Sequence, residues 1–376
     1  MEDLEQLGFS EDQEIKSFEM GENCDDNTQS KEQIEAQIHN RQEAAPRWEC
    51  ALVYAYSNQA AKGKDYLLYV PLDRTIEHAF TLLCDETFDQ ALEFEIPSEF
   101  RDMSFIIIGS CNGVLCFTDA NSFGSTVYLC NPSIRKYRTV INPMFDGVEL
   151  SSRGDVDFAL GFGYYEQTND YLIIRIVILS DEEGEATNKI EVYSMVANSW
   201  KNIEVDHFPW EMIELKSEAV MRDSVHWKTD HKDGDEGIPV ILAYHMGEEV
   251  FRQVGLPNYK ADGEDLVEHI GVYKGNLAMF VFHQSDHFSW HKNCHLWVMN
   301  EYGVVSSWTK LYTVVIDAEV VTPIMFTNNG EIIFEDGECD LTVCHFESNA
   351  ISYLGVEDQG YLNFVTYNGS LVMLED

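Results

Sequence analysis

From Trp48 onward the chain is written in short apolar stretches broken by clusters of Gly, Asn, Asp and Ser, the pattern of strands separated by turns. Ala51 to Tyr56, Tyr66 to Val70 and His78 to Leu83 predict three strands. A four-strand phrase then begins: Ser104 to Ser110 and Val114 to Thr118 form a hairpin around Asn112-Gly113, followed by Ser125 to Cys130 and Tyr137 to Ile141. Asn-Gly suits the positive φ of a tight hairpin turn. The phrase returns over Phe158 to Lys201, Glu218 to Val254, His269 to Leu311 and Pro323 to Leu354. Only two strands follow, Tyr361 to Tyr367 and Ser370 to Leu374.

The turns recur with the strands. Gly113, Gly275, Gly330 and Gly369 each follow Asn or Lys and precede one residue and an aliphatic, with degenerate versions at Asn169-Asp170 and Asp223-Ser224. Their spacing is about 50 residues in most steps, the period of a β-propeller blade. The expected fold is therefore all-β, a β-propeller of about six four-stranded blades. Because a lone terminal hairpin is marginal and leaves open edges, the last blade is expected to be closed by N-terminal strands. Residues 1–47 are rich in acids, Gln and Asn and poor in apolar runs, so a disordered segment is expected there, with 48–376 as the propeller. Lys31 to Glu43 carries only a thin helical stripe, Ile34 and Ile38.

Composition narrows the function. The 376 residues hold 24 Lys and Arg against 66 Asp and Glu, a formal charge of −42. Nucleic acid and anionic membrane are poor partners for such a chain, since each phosphate contact needs a cation. The acids read most simply as a solvated coat on loops, and alternatively as attraction for a basic partner. No apolar run is long enough to span a bilayer, and the acidic start lacks the apolar core of a secretory signal. The nine cysteines are odd in number and unpaired in spacing; Cys50, Cys111, Cys116, Cys130 and Cys344 sit in strand-like runs. They predict buried thiols and a reducing compartment, cytoplasmic and/or nuclear.

Candidate chemistry is sparse. No phosphate loop occurs, and Gly161-Phe162-Gly163 lies within a strand and lacks the third Gly of a dinucleotide site. No cofactor is expected. His283, His287, His291 and His295 are spaced by four and would align on one helix face as Zn or Ni ligands, but the segment bridges two predicted strands, which argues against a metal. Trp200, Trp227, Trp297 and Trp308 could form a ligand platform; at equivalent blade positions, packing between sheets is the simpler role. No Ser/His/Asp grouping or Gly-x-Ser-x-Gly is visible, so no enzyme is expected.

Several phrases resemble a known family. Ile108-Gly109-Ser110-Cys111-Asn112-Gly113-Val114-Leu115-Cys116, then Leu129-Cys130-Asn131-Pro132-Ser133-Ile134-Arg135-Lys136, is similar to the opening of the plant F-box-associated domain, a CNGLLC run followed by NPxTRK. Leu160 to Tyr164 with Asn169 to Ile176, Glu191 to Ser194 with Asn198-Ser199-Trp200, Val225-His226-Trp227, and Leu296 to Met299 with Ser307 to Lys310 follow in the family's order. The resemblance covers residues 104–375 and implies a propeller that holds a target protein, joined in family members to an N-terminal F-box that docks on the Skp adaptor of an SCF ubiquitin ligase. Residues 1–48 show neither the Leu-Pro start nor the Cys-Lys-x-Trp end of an F-box; Leu4-Glu5-Gln6-Leu7 and Arg47-Trp48 are the nearest phrases. Three readings follow: a substrate-recognition propeller of a ligase, a scaffold or decoy acting without one, and a propeller hydrolase with a metal or acid pair in its channel. For the first two, the polar inserts Asp181 to Asn188, Thr229 to Gly237 and Gln284 to Asn293 are the expected recognition loops.

Overall fold

The computed structural model describes residues 66–374, with breaks at 71–78, 97, 101–102, 123, 142–154, 181–185, 206–209, 212–214, 218, 234–235, 260–265, 284–290, 318–320, 337–339, 358–362, 371 and 373. The segment 1–47, its Lys31 to Glu43 stretch and the strand expected over Ala51 to Tyr56 lie outside the described residues.

Six antiparallel sheets form a propeller, and their strands are lettered a to d from the inside outward. Blade 1 is Phe105–Cys111, Val114–Asp119, Thr126–Asn131 and Lys136–Ile141. Blade 2 is Asp155–Tyr165, Asp170–Ser180, Ala186–Ser194 and Ser199–Ile203. In blade 3 strand a comes in two pieces, Trp210–Glu211 and Ala219–Met221, both paired with Ser224–Asp233; Glu236–His245 and Val250–Gly255 complete it. Blade 4 is Leu266–Tyr273, Asn276–His283, His291–Met299 and Trp308–Asp317. Blade 5 is Val321–Phe326, Ile332–Asp336, Asp340–His345 and Ala350–Glu357.

Blade 6 is the expected composite. Asn363–Tyr367 supplies strand a, and Tyr66–Val70, Ala79–Cys84 and Gln90–Glu95 supply b, c and d. Strand a packs beside that of the next blade between blades 1 and 2, 3 and 4, 4 and 5, 5 and 6, and 6 and 1, which closes the ring; strand a of blade 2 instead meets Ser224–Asp233, strand b of blade 3. Two details differ from the sequence expectation. Gln90–Glu95 reads QALEFE, and its two Glu residues, depleted in strands generally, hide it from a pattern reading. Of Ser370 to Leu374, expected as a second strand after Gly369, the described residues Ser370, Val372 and Leu374 do not join the sheet: among the described residues Tyr367 is the last one paired. The tail instead crosses to blade 1, where Leu374 is buried among Ile108, Val114 and Leu160.

Burial explains the pattern. Each blade is covered on both faces by its neighbours, so inner strands read as near-continuous apolar runs, as parallel sheets buried on both sides do. Tyr171 to Ile178 in strand b of blade 2 is buried throughout, whereas Ser199–Ile203 in strand d has no buried residue. Close packing between blades also fixes two glycines of strand a. A Cβ at Gly161 would lie 2.4 Å from Cζ2 of Trp227 in blade 3, and one at Gly271 would lie 2.2 Å from Cδ2 of Phe326 in blade 5. Each glycine thus receives the aromatic ring of the following blade.

Candidate protein-binding face

Antiparallel strands alternate in direction, so the a–b and c–d turns share one face of the ring. The b–c connections and the passages from d to the next a share the other. The turn face is built from tight reversals. Asn112-Gly113, Arg222-Asp223 and Lys274-Gly275 are two-residue a–b turns with both residues at positive φ, 47° and 73°, 50° and 57°, and 48° and 78°. That is the geometry whose twist matches paired strands. The c–d turns of blades 1, 2, 3 and 5 each end on one left-handed residue, Arg135, Asn198, Glu249 and Asn349. Gly330 closes its turn at φ 86°, while Gly369 lies beyond the last paired strand.

Polar groups of the turns are largely spent on holding the ring. In blade 2, Asp170 accepts from Ser194 Oγ and, at 2.9 Å, from the Val196 N–H, tying the a–b turn to the c–d turn. Between blades, Lys201 pairs with Glu249 and Lys274 with Glu347. Asn329 Nδ2 donates to the Asp85 carbonyl and carboxylate at 3.1 Å each, joining blades 5 and 6. Between blades 3 and 4, the fully buried His226 faces the Ala219 carbonyl from Nδ1 at 3.2 Å and Tyr302 Oη from Nε2 at 2.7 Å. A carbonyl only accepts, so Nδ1 carries the proton and Nε2 accepts from Tyr302. Burial holds this ring down at a pKa of about 4, so it stays neutral.

The junction of blades 6 and 1 centres on Asn131, from the NPSI phrase. Its Nδ2 donates to the carbonyls of Ser370 at 3.1 Å and Val372 at 3.0 Å, and its Oδ1 accepts from the Ser133 N–H at 3.1 Å. Ser133 Oγ meets Tyr367 Oη at 2.8 Å. The tryptophans serve similar ends. Trp227 donates to the Leu160 carbonyl at 3.0 Å, Trp200 to that of Ile141 at 3.2 Å, and Trp308 to that of Gly255 at 2.9 Å, each reaching the preceding blade. None of the three stands free as a platform.

The strand ends that flank the polar inserts lie on the opposite face. Asp181 to Asn188 joins b to c in blade 2, Thr229 to Gly237 in blade 3 and Gln284 to Asn293 in blade 4, so their flanking strand ends lie on one side of the ring. In blade 3 the two strands run on as a long hairpin to Asp233 and Glu236. Strands b and c of blade 2 hold a buried ion pair, Arg175 Nη1 to Glu191 Oε2 at 3.2 Å, with Lys189 Nζ at 3.3 Å from Oε1. Burial pulls Arg175 below its usual pKa and the Glu191 carboxylate opposes that pull. Near the start of strand a of blade 4, Lys228 Nζ donates to the Glu268 carbonyl at 3.2 Å and Tyr259 Oη meets the Glu268 carboxylate. Burial, with Lys216 and Lys228 nearby, pushes His269 down to about 3.

Of the four spaced histidines, the three described ones lie in strands. His283 ends strand b and His291 opens strand c of blade 4, His295 lies in that same strand with Nδ1 3.1 Å from Thr313 Oγ1, and His287 falls outside the described residues. Among the described residues no cluster of His, Cys, Asp and Glu is arranged to hold a metal ion, and no helix is long and apolar enough to cross a membrane. Cys111, Cys116, Cys130 and Cys344 are free thiols, and burial pushes Cys130 and Cys344 up to about 12.

A family model described as the F-box associated beta propeller domain matches residues 72–371. The chain belongs to this family. Among its relatives, F-box protein CPR1 of Arabidopsis thaliana is 26% identical over 295 residues, 73% of this chain and 68% of that protein. F-box protein At4g22390 of Arabidopsis thaliana is 25% identical over 317 residues, 75% of this chain and 74% of that one. F-box/kelch-repeat protein At3g23880 of the same plant is 22% identical over 233 residues, 61% and 58% of the two chains. Among solved structures, an oligogalacturonate lyase from Vibrio parahaemolyticus matches with a TM-score of 0.43 and 8% identity over 77% of this chain and 78% of that one, a likeness too slight to bear on function. The family match spans the F-box associated propeller from blade 6 strand c round to its closing tail.

Proposed function

We propose that this chain is a protein-binding propeller that holds a target on its b–c face for an SCF-type ubiquitin ligase. The observation that carries this reading is the division of labour between the faces. On the turn face, side chains from blade after blade are committed to internal ties. The strand ends that flank the long polar inserts lie on the b–c face, and loops of this kind can change without disturbing the blade cores. Its relatives are named F-box proteins, which supports a place beside a ubiquitin ligase. The reading treats the propeller as a platform for its target, with recognition by surface complementarity and no cofactor. A pull-down of the full chain with a Skp-type adaptor tests the ligase connection: retention on the adaptor is expected, and no binding at micromolar concentrations would sink it.

One observation favours a second reading. Residues 1–48 carry neither the Leu-Pro start nor the Cys-Lys-x-Trp end of an F-box. On that reading the propeller acts as a scaffold or decoy that occupies a target without recruiting a ligase. Target binding with no adaptor binding would select it.

A further inference from the structure

Blade 5 contains a constellation that target binding does not use. His345 ends strand c, its Nδ1 lies 2.9 Å from Glu331 Oε1, and its Nε2 lies 3.2 Å from Ser352 Oγ in strand d. A carboxylate only accepts, so Nδ1 carries the imidazole proton and Nε2 offers its lone pair to the Ser352 hydroxyl. Glu331 is itself fixed: Thr327 Oγ1 donates to its Oε2 at 2.8 Å and accepts from its backbone N–H at 3.1 Å. The ring of Phe88 from blade 6 stands edge-on to His345 with centroids 6.2 Å apart. Glu331 and His345 are mostly covered, with side chains 17% and 26% exposed, while Ser352 is open to solvent.

The blade 2 counterpart shows what is particular here. There Asp170, at the start of strand b, holds Ser194 at the end of strand c, a staple with no titrating base. Blade 5 places Glu and His at these positions and adds a serine across the next strand. Serine, imidazole and carboxylate in this order are the groups that activate a hydroxyl nucleophile. Strand d is also the outer strand of its sheet, where alternate backbone N–H groups point away from the ladder and can face a developing oxyanion.

We propose that Ser352, with His345 as its general base and Glu331 as the positioning residue, is a nucleophile toward small acyl esters. Ser352 Oγ attacks the ester carbonyl as its proton passes to His345 Nε2. The tetrahedral centre collapses, the ester C–O bond breaks, and the leaving alkoxide takes that proton from the imidazolium. Water then repeats the sequence on the acyl-serine, releasing the carboxylic acid and restoring Ser352.

The test is labelling of the full chain with a fluorophosphonate probe, mapped by mass spectrometry, alongside p-nitrophenyl acetate hydrolysis. Ser352 is expected to label at least about 100-fold faster than Ser348, an exposed hydroxyl of the adjoining turn, the lower range of a general base's contribution. His345→Asn should remove that advantage, and Glu331→Gln should reduce it and displace the pH profile of labelling, which a purely structural role would not do. Ser352→Ala should abolish acetate hydrolysis with unchanged melting. Equal labelling of Ser352 and Ser348 in the unaltered protein overturns the proposal.

Discussion

Replacing Asn131 tests how the ring is closed. Its side chain is fully buried, and one amide holds two carbonyls of the C-terminal tail while accepting from the Ser133 N–H. Asn131→Ala removes all three bonds and leaves three backbone groups to find water or go unpaired. At a net ~0.5–1.5 kcal/mol per bond, the expected loss is about 2–4 kcal/mol. The substitution also frees Leu374, whose burial at 4% exposure depends on the tail staying in place. Asn131→Asp sharpens the test. It keeps the acceptor for Ser133 but turns an oxygen toward the carbonyls of Ser370 and Val372, so at neutral pH it should cost more than alanine despite its closer shape. Urea titration followed by tryptophan fluorescence measures both, with limited proteolysis reporting release of the tail. A cost below about 0.5 kcal/mol for Asn131→Ala, or Asp milder than Ala, would refute the latch.

Three further outcomes follow from the interior. Gly161→Ala places a methyl 2.4 Å from Trp227 and 2.7 Å from Val225 Cγ1, so a loss of about 1–3 kcal/mol is expected by denaturant titration, and Trp227→Phe in the same chain should recover part of it. Glu191→Gln leaves the Arg175 guanidinium buried without its counter-ion, an expected loss of ~3–5 kcal/mol that the double change Arg175→Met with Glu191→Leu should largely reverse; additive costs in that double variant would contradict the pairing. His226 is neutral in the fold at a pKa of about 4, whereas the unfolded chain binds a proton below about 6.5. Stability should therefore be constant from this group above pH ~6.5 and fall on the order of 3 kcal/mol as pH drops toward 4. The same titration of His226→Gln should lack that component, and identical slopes would contradict the assignment.

Much of the fold is legible along the chain because each blade repeats one local grammar, an apolar run, a tight turn and a second apolar run. Asn112-Gly113 and Lys274-Gly275 state their turn type in two letters. Arg222-Asp223 adopts the same turn without glycine, and only its place in the repeat reveals it. The closure was legible as a missing half-blade, but not the strand at Gln90–Glu95 or the departure of the tail after Tyr367. Both are decided by contacts with blades distant in sequence. Asn131 belongs to a recognisable phrase, yet its partners lie 239 and 241 residues away, beyond any local pattern. The Glu331, His345 and Ser352 grouping was hidden for a related reason. Strand pairing assembles it from two turns and an edge strand, and no spacing rule joins the three. The proposed recognition face is the reverse case: long polar inserts stand out in sequence, and alternating strand direction is what puts their flanking strand ends on one side.

The central claim is that targets land on the b–c face. The direct test replaces residues 181–185, 234–235 and 284–290 by short Gly-Ser turns and compares proximity labelling in plant cells with the unaltered propeller and with a turn-face variant, Arg222→Glu with Lys310→Glu. The b–c replacement is expected to lose the proteins labelled by the unaltered propeller while melting as it does, and the turn-face variant to keep them. Labelling that survives the b–c replacement and disappears in the turn-face variant would contradict it.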